Sequence, residues 1–256
     1  MNVLSSKSFI VSIKKMNEAD LLIVYVTEDY GKIVCFANNA RKSKKRFLGK
    51  LEPAMLTNIK FYEKAGMSLA ILYEVDSVEE YKNIRKNINA YTSISKLLEI
   101  TKALVPEKDK NIMIFNLLRD VYMSLNDAVG NDCEEDIILK HELYFISNFL
   151  KHSGIFPNFN TCTLCSQKNI DNYFTFSVAK GGVVCSNCAK TVKTINLPIS
   201  AVKIINLMAN SNTSIISKLN AKEYVLRDCL NFLENILSFY AGNSFKSFNV
   251  SKNKRY

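Results

Sequence analysis

The sequence predicts an α+β chain in two parts, a small antiparallel β-barrel followed by an α-helical domain that carries a cysteine-rich insertion. Three observations lead to this. Residues 1–75 hold five short apolar stretches divided by turn residues, with no helical period. From residue 77 apolar side chains recur every three or four positions. Two Cys-x-x-Cys knuckles, Cys162-Thr-Leu-Cys165 and Cys185-Ser-Asn-Cys188, then interrupt the helical texture. The expected domains are 1–76 and 77–256, with the cysteine module at about 157–194.

The strands come first. Residues 8–14 alternate apolar and polar, residues 20–27 form an apolar run ending in Glu28-Asp29-Tyr30-Gly31, and residues 32–36 resume it, which reads as a hairpin. Residues 55–63 and 68–75 are two more strands joined across Lys64-Ala65-Gly66-Met67. Five short strands without intervening helices suit an oligonucleotide-binding (OB) barrel, with an SH3-like barrel as the structural alternative.

Between the third and fourth strands lies Arg41-Lys42-Ser43-Lys44-Lys45-Arg46-Phe47-Leu48-Gly49-Lys50, with six positive charges and no negative one. Such a loop can track phosphates through Lys and Arg while an aromatic, here Phe47, offers a face to a base. The plainer reading is a solvated basic loop without a partner. Arg41, Lys42, Lys44, Lys45, Arg46, Phe47 and Lys50 are the candidate nucleic-acid contacts.

The helical part opens on Ser77-Val-Glu-Glu80, a capping-box pattern, after which Ile84, Ile88, Tyr91, Ile94 and Leu98 share one face until Pro106. A second helix carries Ile112, Phe115, Leu118, Tyr122 and Leu125 inward. A third spans about 134–151, with Ile138, Phe145 and Phe149 inward, and ends at Gly154. Beyond the cysteines, Pro198 is placed for a first helical turn. Asn220-Ala-Lys-Glu223 reads as the cap of a last helix with Leu226, Leu230, Leu233, Leu237 and Tyr240 inward, closed by Gly242. Residues 243–256 read as a loose basic tail with Lys246, Lys252, Lys254 and Arg255.

The spacing of the knuckles suits four thiolates around one tetrahedral Zn²⁺. Tyr173-Phe-Thr-Phe-Ser-Val178 between them reads as a half-buried strand, and Gly181-Gly182 as a turn, so the insertion is a zinc ribbon. Cys162, Cys165, Cys185 and Cys188 fill the tetrahedron and leave no position for water, which makes the site structural rather than catalytic. A redox role for the two cysteine pairs is the alternative. His141 and His152 are the only histidines, and His152 is near enough in sequence to be a secondary ligand candidate. Cys35, Cys133 and Cys229 remain as free thiols, the first and last in apolar segments.

A chain of 256 residues with 48% hydrophobic content can build real cores. No leader-like segment and no long apolar run is seen, so a cytoplasmic protein with no membrane partner is expected. The net charge of +10 and pI near 9.1 favour a polyanionic partner. No Gly-rich phosphate loop, His-rich metal site or nucleophile constellation points to an enzyme.

Several motifs together resemble the RecO family of bacterial recombination mediators. These are Asn17-Glu18-Ala19-Asp20 with Thr27-Glu28-Asp29-Tyr30-Gly31-Lys32; Ala40-Arg41-Lys42-Ser43; Phe149-Leu150-Lys151-His152-Ser153-Gly154-Ile155-Phe156-Pro157 running into Cys162-x-x-Cys165; and Gly181-Gly182-Val183-Val184 before Cys185-x-x-Cys188. The resemblance covers nearly the whole chain. It implies an N-terminal OB fold, a helical domain with a zinc module, and no catalysis. It also implies binding of single- and double-stranded DNA, annealing of complementary strands, and work with RecR to help RecA onto DNA coated by single-strand binding protein, whose C-terminal tail is a further partner. Association with the nucleoid is part of the same expectation. The acidic run 132–136 departs from a continuous basic track. An RNA-binding factor on the same barrel is the rival reading.

Overall fold

The computed structural model of the chain describes residues 2–63, 69–130, 135–168 and 173–248. The turn expected at Lys64-Ala65-Gly66-Met67, the thiol of Cys133, most of the acidic run 132–136, and Lys252, Lys254 and Arg255 of the tail lie outside the described residues.

The N-terminal strands are β1 (Leu4–Lys15), β2 (Leu21–Thr27), β3 (Gly31–Ala37), β4 (Met55–Glu63) and β5 (Ala70–Glu80). They close into a barrel in the order β1-β2-β3-β5-β4, with β1 also paired to β4. Every pairing is antiparallel except β3 with β5, where Cys35 faces Ala70 and Phe36 faces Ile71. That one parallel seam needs a long crossover, and the 38–54 segment together with β4 supplies it. The order is that of an OB barrel, which resolves the choice left open by strand count. Period-2 alternation sends Ile10, Ile23, Tyr25, Ile33, Cys35, Ile59, Phe61, Leu72 and Val75 into the interior.

Compactness divides the chain into two units, Met1–Asn131 and Asp132–Tyr256, a boundary later than the change of sequence texture at 76/77. Helices α1 (Lys82–Lys86), α2 (Ile88–Leu104) and α3 (Ile112–Val129) therefore belong with the barrel. The reason is aromatic packing on the barrel's outer surface. Phe9 lies 4.8 Å from Tyr122 and 5.5 Å from Phe115, Tyr81 lies 5.1 Å from Tyr122, and the Tyr122 hydroxyl donates to Pro53 O. The connection from α2 to α3 is strapped to the β2–β3 turn, where the Lys108 amide donates to Lys32 O.

The Ser77-to-Glu80 capping box is corrected by the structure. These residues extend β5 instead, with Ser77 opposite Thr57 and Glu80 opposite Met55, because ladder pairing satisfies more backbone groups than a cap. The helix starts only at Lys82 and breaks at Asn87, whose side chain accepts from the amides of Asn89 and Ala90 to start α2. Ile88, expected inward, is consequently 74% exposed at that first turn.

The second unit contains α4 (Glu135–His152), β6 (Tyr173–Ser177), β7 (Gly182–Val183), β8 (Ile195–Pro198), α5 (Ile199–Ala209), α6 (Ile215–Lys218) and α7 (Glu223–Ala241). Helices α4, α5 and α7 pack together, and the buried Asn148 amide donates to both Tyr144 O and Met208 O. The strands form a small sheet in the order β7-β6-β8. Two expectations for α7 fail. Lys222, not Asn220, occupies the cap position and makes no side-chain capping bond, and Tyr240 is 43% exposed. Cys35 and Cys229 are fully buried, as their apolar settings imply.

Gly31 shows how tight the strap is. Its φ is +68°, and a methyl there would overlap the backbone carbonyl of Asp109. Gly31→Ala is expected to cost about 1–3 kcal/mol, the range for strained backbone positions. The readout is a lower chemical-denaturation midpoint at unchanged slope.

Candidate metal centre and nucleic-acid interface

The first knuckle turns through Ser166, at φ +63°, whose amide donates to Cys162 O while the Cys162 amide donates to Gln167 O. The second turns likewise, with the Ala189 amide donating to Cys185 O. The two are held in register by main-chain bonds. Thr163 N donates to Val183 O, Val183 N to Asn158 O, and Asn158 N to Gly181 O. No side chain fits at Gly182, where a methyl would overlap Thr163 Cγ2 and come within 2.9 Å of Asn158 O. That close backbone approach, with Gly181 in the left-handed region, explains the Gly-Gly pair.

The four sulfurs lie within 4.8 Å of one another, and Cys165 Sγ is 3.7 Å from Cys185 Sγ. A tetrahedron of sulfurs at about 2.3 Å from a central Zn²⁺ has edges of about 3.8 Å. The residues therefore fit a metal ion of that size and softness. The electrostatics agree. Burial alone would raise the Cys162 thiol, but amides of Cys185, Leu164 and Cys165 directed at its sulfur bring it down to about 6. The amide of Cys188 holds the Cys185 thiol below its usual range, and the neighbouring Cys185 sulfur then pushes the Cys188 thiol up to about 12. Four thiolates this close repel one another, and a dication would relieve that repulsion. Among the described residues the cluster contains cysteines alone, so His152 is not one of its members.

The module rests on an aromatic cluster. Phe159 stands 6.3 Å from Phe174 and 6.0 Å from Phe176, and Phe176 meets Phe232 of α7 edge-on at 4.8 Å. The cysteines thus sit on a packed base in the helical unit.

In the barrel, Asn17-Glu18-Ala19-Asp20 explains where the basic loop starts. The Asn17 side chain accepts from the amides of Ala19 and Asp20. The Asp20 carboxylate accepts from the Asn39 amide and from Asn17 Nδ2, each at 2.7 Å. The Asn39 bond, with that of Asn17, holds the Asp20 carboxyl below its ordinary range. Arg41 N then donates to Ala19 O, pinning a short 3-10 turn (Ala40–Lys42) against the β1–β2 turn.

The predicted contacts separate into two groups. Lys42, Lys44 and Lys45 are exposed and make no ion pair among the described residues. Arg41 and Arg46 are tied down, donating to the carbonyls of Asn17 and Glu18 and of Asn38 respectively. Lys50 pairs with Asp76 at 3.1 Å. Phe47 corrects the stacking expectation. It is only 2% exposed, belongs to the barrel interior and has the Arg46 guanidinium 4.8 Å from its ring centre. The flanking charges predict a displayed ring, but the ring packs with the apolar residues of the barrel interior instead. Missed in sequence were Lys14 and Lys15, exposed at the end of β1. Lys15 pairs with Leu21 and Leu21 with Ala37, so strand register brings these lysines to the rim from which the basic loop leaves. No helix of the described residues is long and apolar enough to cross a membrane.

Two family models match the chain. One, described as Recombination protein O N terminal, covers residues 1–81, and the other, Recombination protein O C terminal, covers residues 85–248. A DNA repair protein RecO of Syntrophus aciditrophicus is 25% identical over 249 residues, spanning 96% of this chain and 93% of its own length. One of Thermodesulfovibrio yellowstonii is 24% identical, with 97% of each covered. One of Myxococcus xanthus is 28% identical over 75% of this chain and 76% of its own.

The cysteine geometry predicts uptake of one Zn²⁺ per chain, measurable by native mass spectrometry. Uptake should fall as pH drops, because protons compete for the thiolates. Cys165→Ser should abolish stoichiometric uptake, and Gly182→Ala, which displaces the backbone behind the ligands, should weaken affinity by about 10-fold or more.

Proposed function

The chain belongs to the RecO family of DNA repair proteins, and from that premise we propose that it is a non-catalytic recombination mediator. It binds single- and double-stranded DNA, anneals complementary strands and, with RecR, helps load RecA onto DNA coated by single-strand binding protein, whose C-terminal tail it engages. It works in the cytoplasm at the nucleoid. One Zn²⁺ held by Cys162, Cys165, Cys185 and Cys188 braces the helical unit and takes no part in bond making.

The observation that carries this reading is the rim of the barrel. Five lysines, Lys14, Lys15, Lys42, Lys44 and Lys45, are exposed there without ion pairs among the described residues. The acidic neighbours are Glu18 and Asp20, and the latter is occupied by Asn39 and Asn17. A set of cations unneutralised by protein is what a phosphate backbone requires, and the affinity it generates is electrostatic and largely independent of sequence. Annealing follows from neutralising two strands held close together, with no bond broken.

Five phosphate contacts correspond to a log-log salt slope of about −3.5 on single strands. Replacing Lys42, Lys44 and Lys45 with Gln should flatten that slope by about 2 units, at 0.7 per contact. Arg41 and Arg46 should be left alone, since their guanidiniums shape the rim. An unchanged slope and affinity would remove the loop from the interface. Annealing of oligonucleotides precoated with single-strand binding protein tests the mediator role, and tighter binding to RNA of the same sequence would favour the rival reading.

A further inference from the structure

The four clustered cysteines differ in how deeply they are set into the protein. Cys162 is 1% exposed, Cys185 and Cys188 are half-buried, and Cys165 is exposed. The remaining described cysteines, Cys35 and Cys229, are fully buried. One sulfur of the cluster is therefore open to a small solute in water, and it belongs to the first knuckle. A second sulfur faces it from the other knuckle, with Cys185 Sγ 3.7 Å from Cys165 Sγ. Thr163 stands two residues before Cys165 and Val183 two before Cys185, and the Thr163 amide donates to Val183 O at 2.9 Å. The facing of the two sulfurs is thus built into the backbone.

The surroundings carry positive charge. Lys168 follows Cys165 by three residues and Lys190 follows Cys188 by two, while Lys180 stands five before Cys185 and Lys193 five after Cys188. All four lysines are exposed, and no acidic residue occurs among the described residues from Ile155 to Lys193. Reactive thiols occupy partly exposed, electropositive surroundings, whereas thiols sunk in apolar cores are inert. A thiol that responds reversibly to oxidant also needs a second thiol within reach, which converts its first oxidation product to a disulfide before more oxygen is added. Cys165 meets the first condition and Cys185 supplies the second.

We propose that Cys165 and Cys185 are a peroxide-responsive pair, through which hydrogen peroxide converts the metal centre reversibly into a disulfide joining the two knuckles. The inference rests on the metal reading above, and the redox role of the cysteines becomes a sequel to metal binding instead of its rival. The Cys165 thiolate attacks one peroxide oxygen, the O–O bond breaks, and the products are a sulfenic acid on Cys165 and hydroxide. The Cys185 thiolate then attacks the Cys165 sulfur, which forms the S–S bond and expels the sulfenic oxygen as a second hydroxide. The two sulfurs have given two electrons to one peroxide, and two protons from solvent complete two water molecules. The 3.7 Å between the sulfurs has to shorten by about 1.7 Å. Only Cys162 and Cys188 then remain as ligands, too few for a closed tetrahedral site. The new bond ties together the same two knuckles, so their register is kept while the ion is lost. A dithiol reverses the step by exchange.

The test uses the full chain, reduced and loaded with Zn²⁺, with a colorimetric zinc indicator and hydrogen peroxide at about tenfold molar excess over protein. Peroxide should release the bound Zn²⁺ completely, and dithiothreitol followed by fresh Zn²⁺ should restore it. Alkylation of the remaining thiols and peptide mass spectrometry should then find Cys165 joined to Cys185, with Cys35 and Cys229 still reduced and alkylated only after denaturation. Zn²⁺ retained through this treatment would overturn the inference while leaving the metal reading standing. So would release accompanied only by sulfinic or sulfonic acid at Cys165, or by a disulfide confined to one knuckle. A reduced chain that takes up no Zn²⁺ would overturn both.

Discussion

Closure of the five-stranded barrel is the constraint on which the first unit depends. A five-strand sheet with free edges would present unpaired backbone groups, whereas pairing β1 with β4 and β3 with β5 leaves neither edge open. Closing through one parallel seam forces a long excursion between β3 and β4, and that excursion carries the basic residues. The same register fixes what lies beside it, since Lys15, Leu21 and Ala37 end their strands side by side. The charged rim is thus a product of topology. Its lysines come from separate stretches of sequence and become one surface because the strands that hold them finish together.

The cysteine site is constrained in the opposite way, by repulsion. Main-chain bonds from Thr163 and Val183 lock the knuckles at a separation where four sulfurs crowd into one small volume. Amides aimed at Cys162 and Cys185 favour thiolate at those two sulfurs, and the remaining two are pushed towards the protonated form. A divalent cation changes that balance for all four at once. The Phe159, Phe176 and Phe232 rings tie the cysteine module to α7.

Much of this was legible in the chain because the signals were local. Strand alternation, the knuckle spacing and the helical stripes depend on residues a few positions apart, and the structure reproduces the first two and most of the stripes, with Ile88, Ile112 and Tyr240 exposed instead of inward. The failures share a cause. Ser77-Val-Glu-Glu80 is a sound cap in isolation, yet β4 supplies a partner strand that wins those residues. Phe47 sits among charges in sequence, but the barrel mouth draws its ring inward. Ile88 continues a helical stripe that the break at Asn87 puts out of phase. Lys14 and Lys15 are an isolated pair at the end of an apolar strand, with no longer basic run around them to mark them.

By itself the sequence determined the fold class, the spacing that gathers four cysteines and the strongly basic character, because each is written in spacing or composition. Only the tertiary structure decided which cations are free and which are spent on carbonyls and carboxylates, since Arg41, Arg46 and Lys50 find their partners across turns and strands. It also decided which aromatics are displayed. Phe47 stands in a charged stretch of the chain, but its ring lies in the barrel interior.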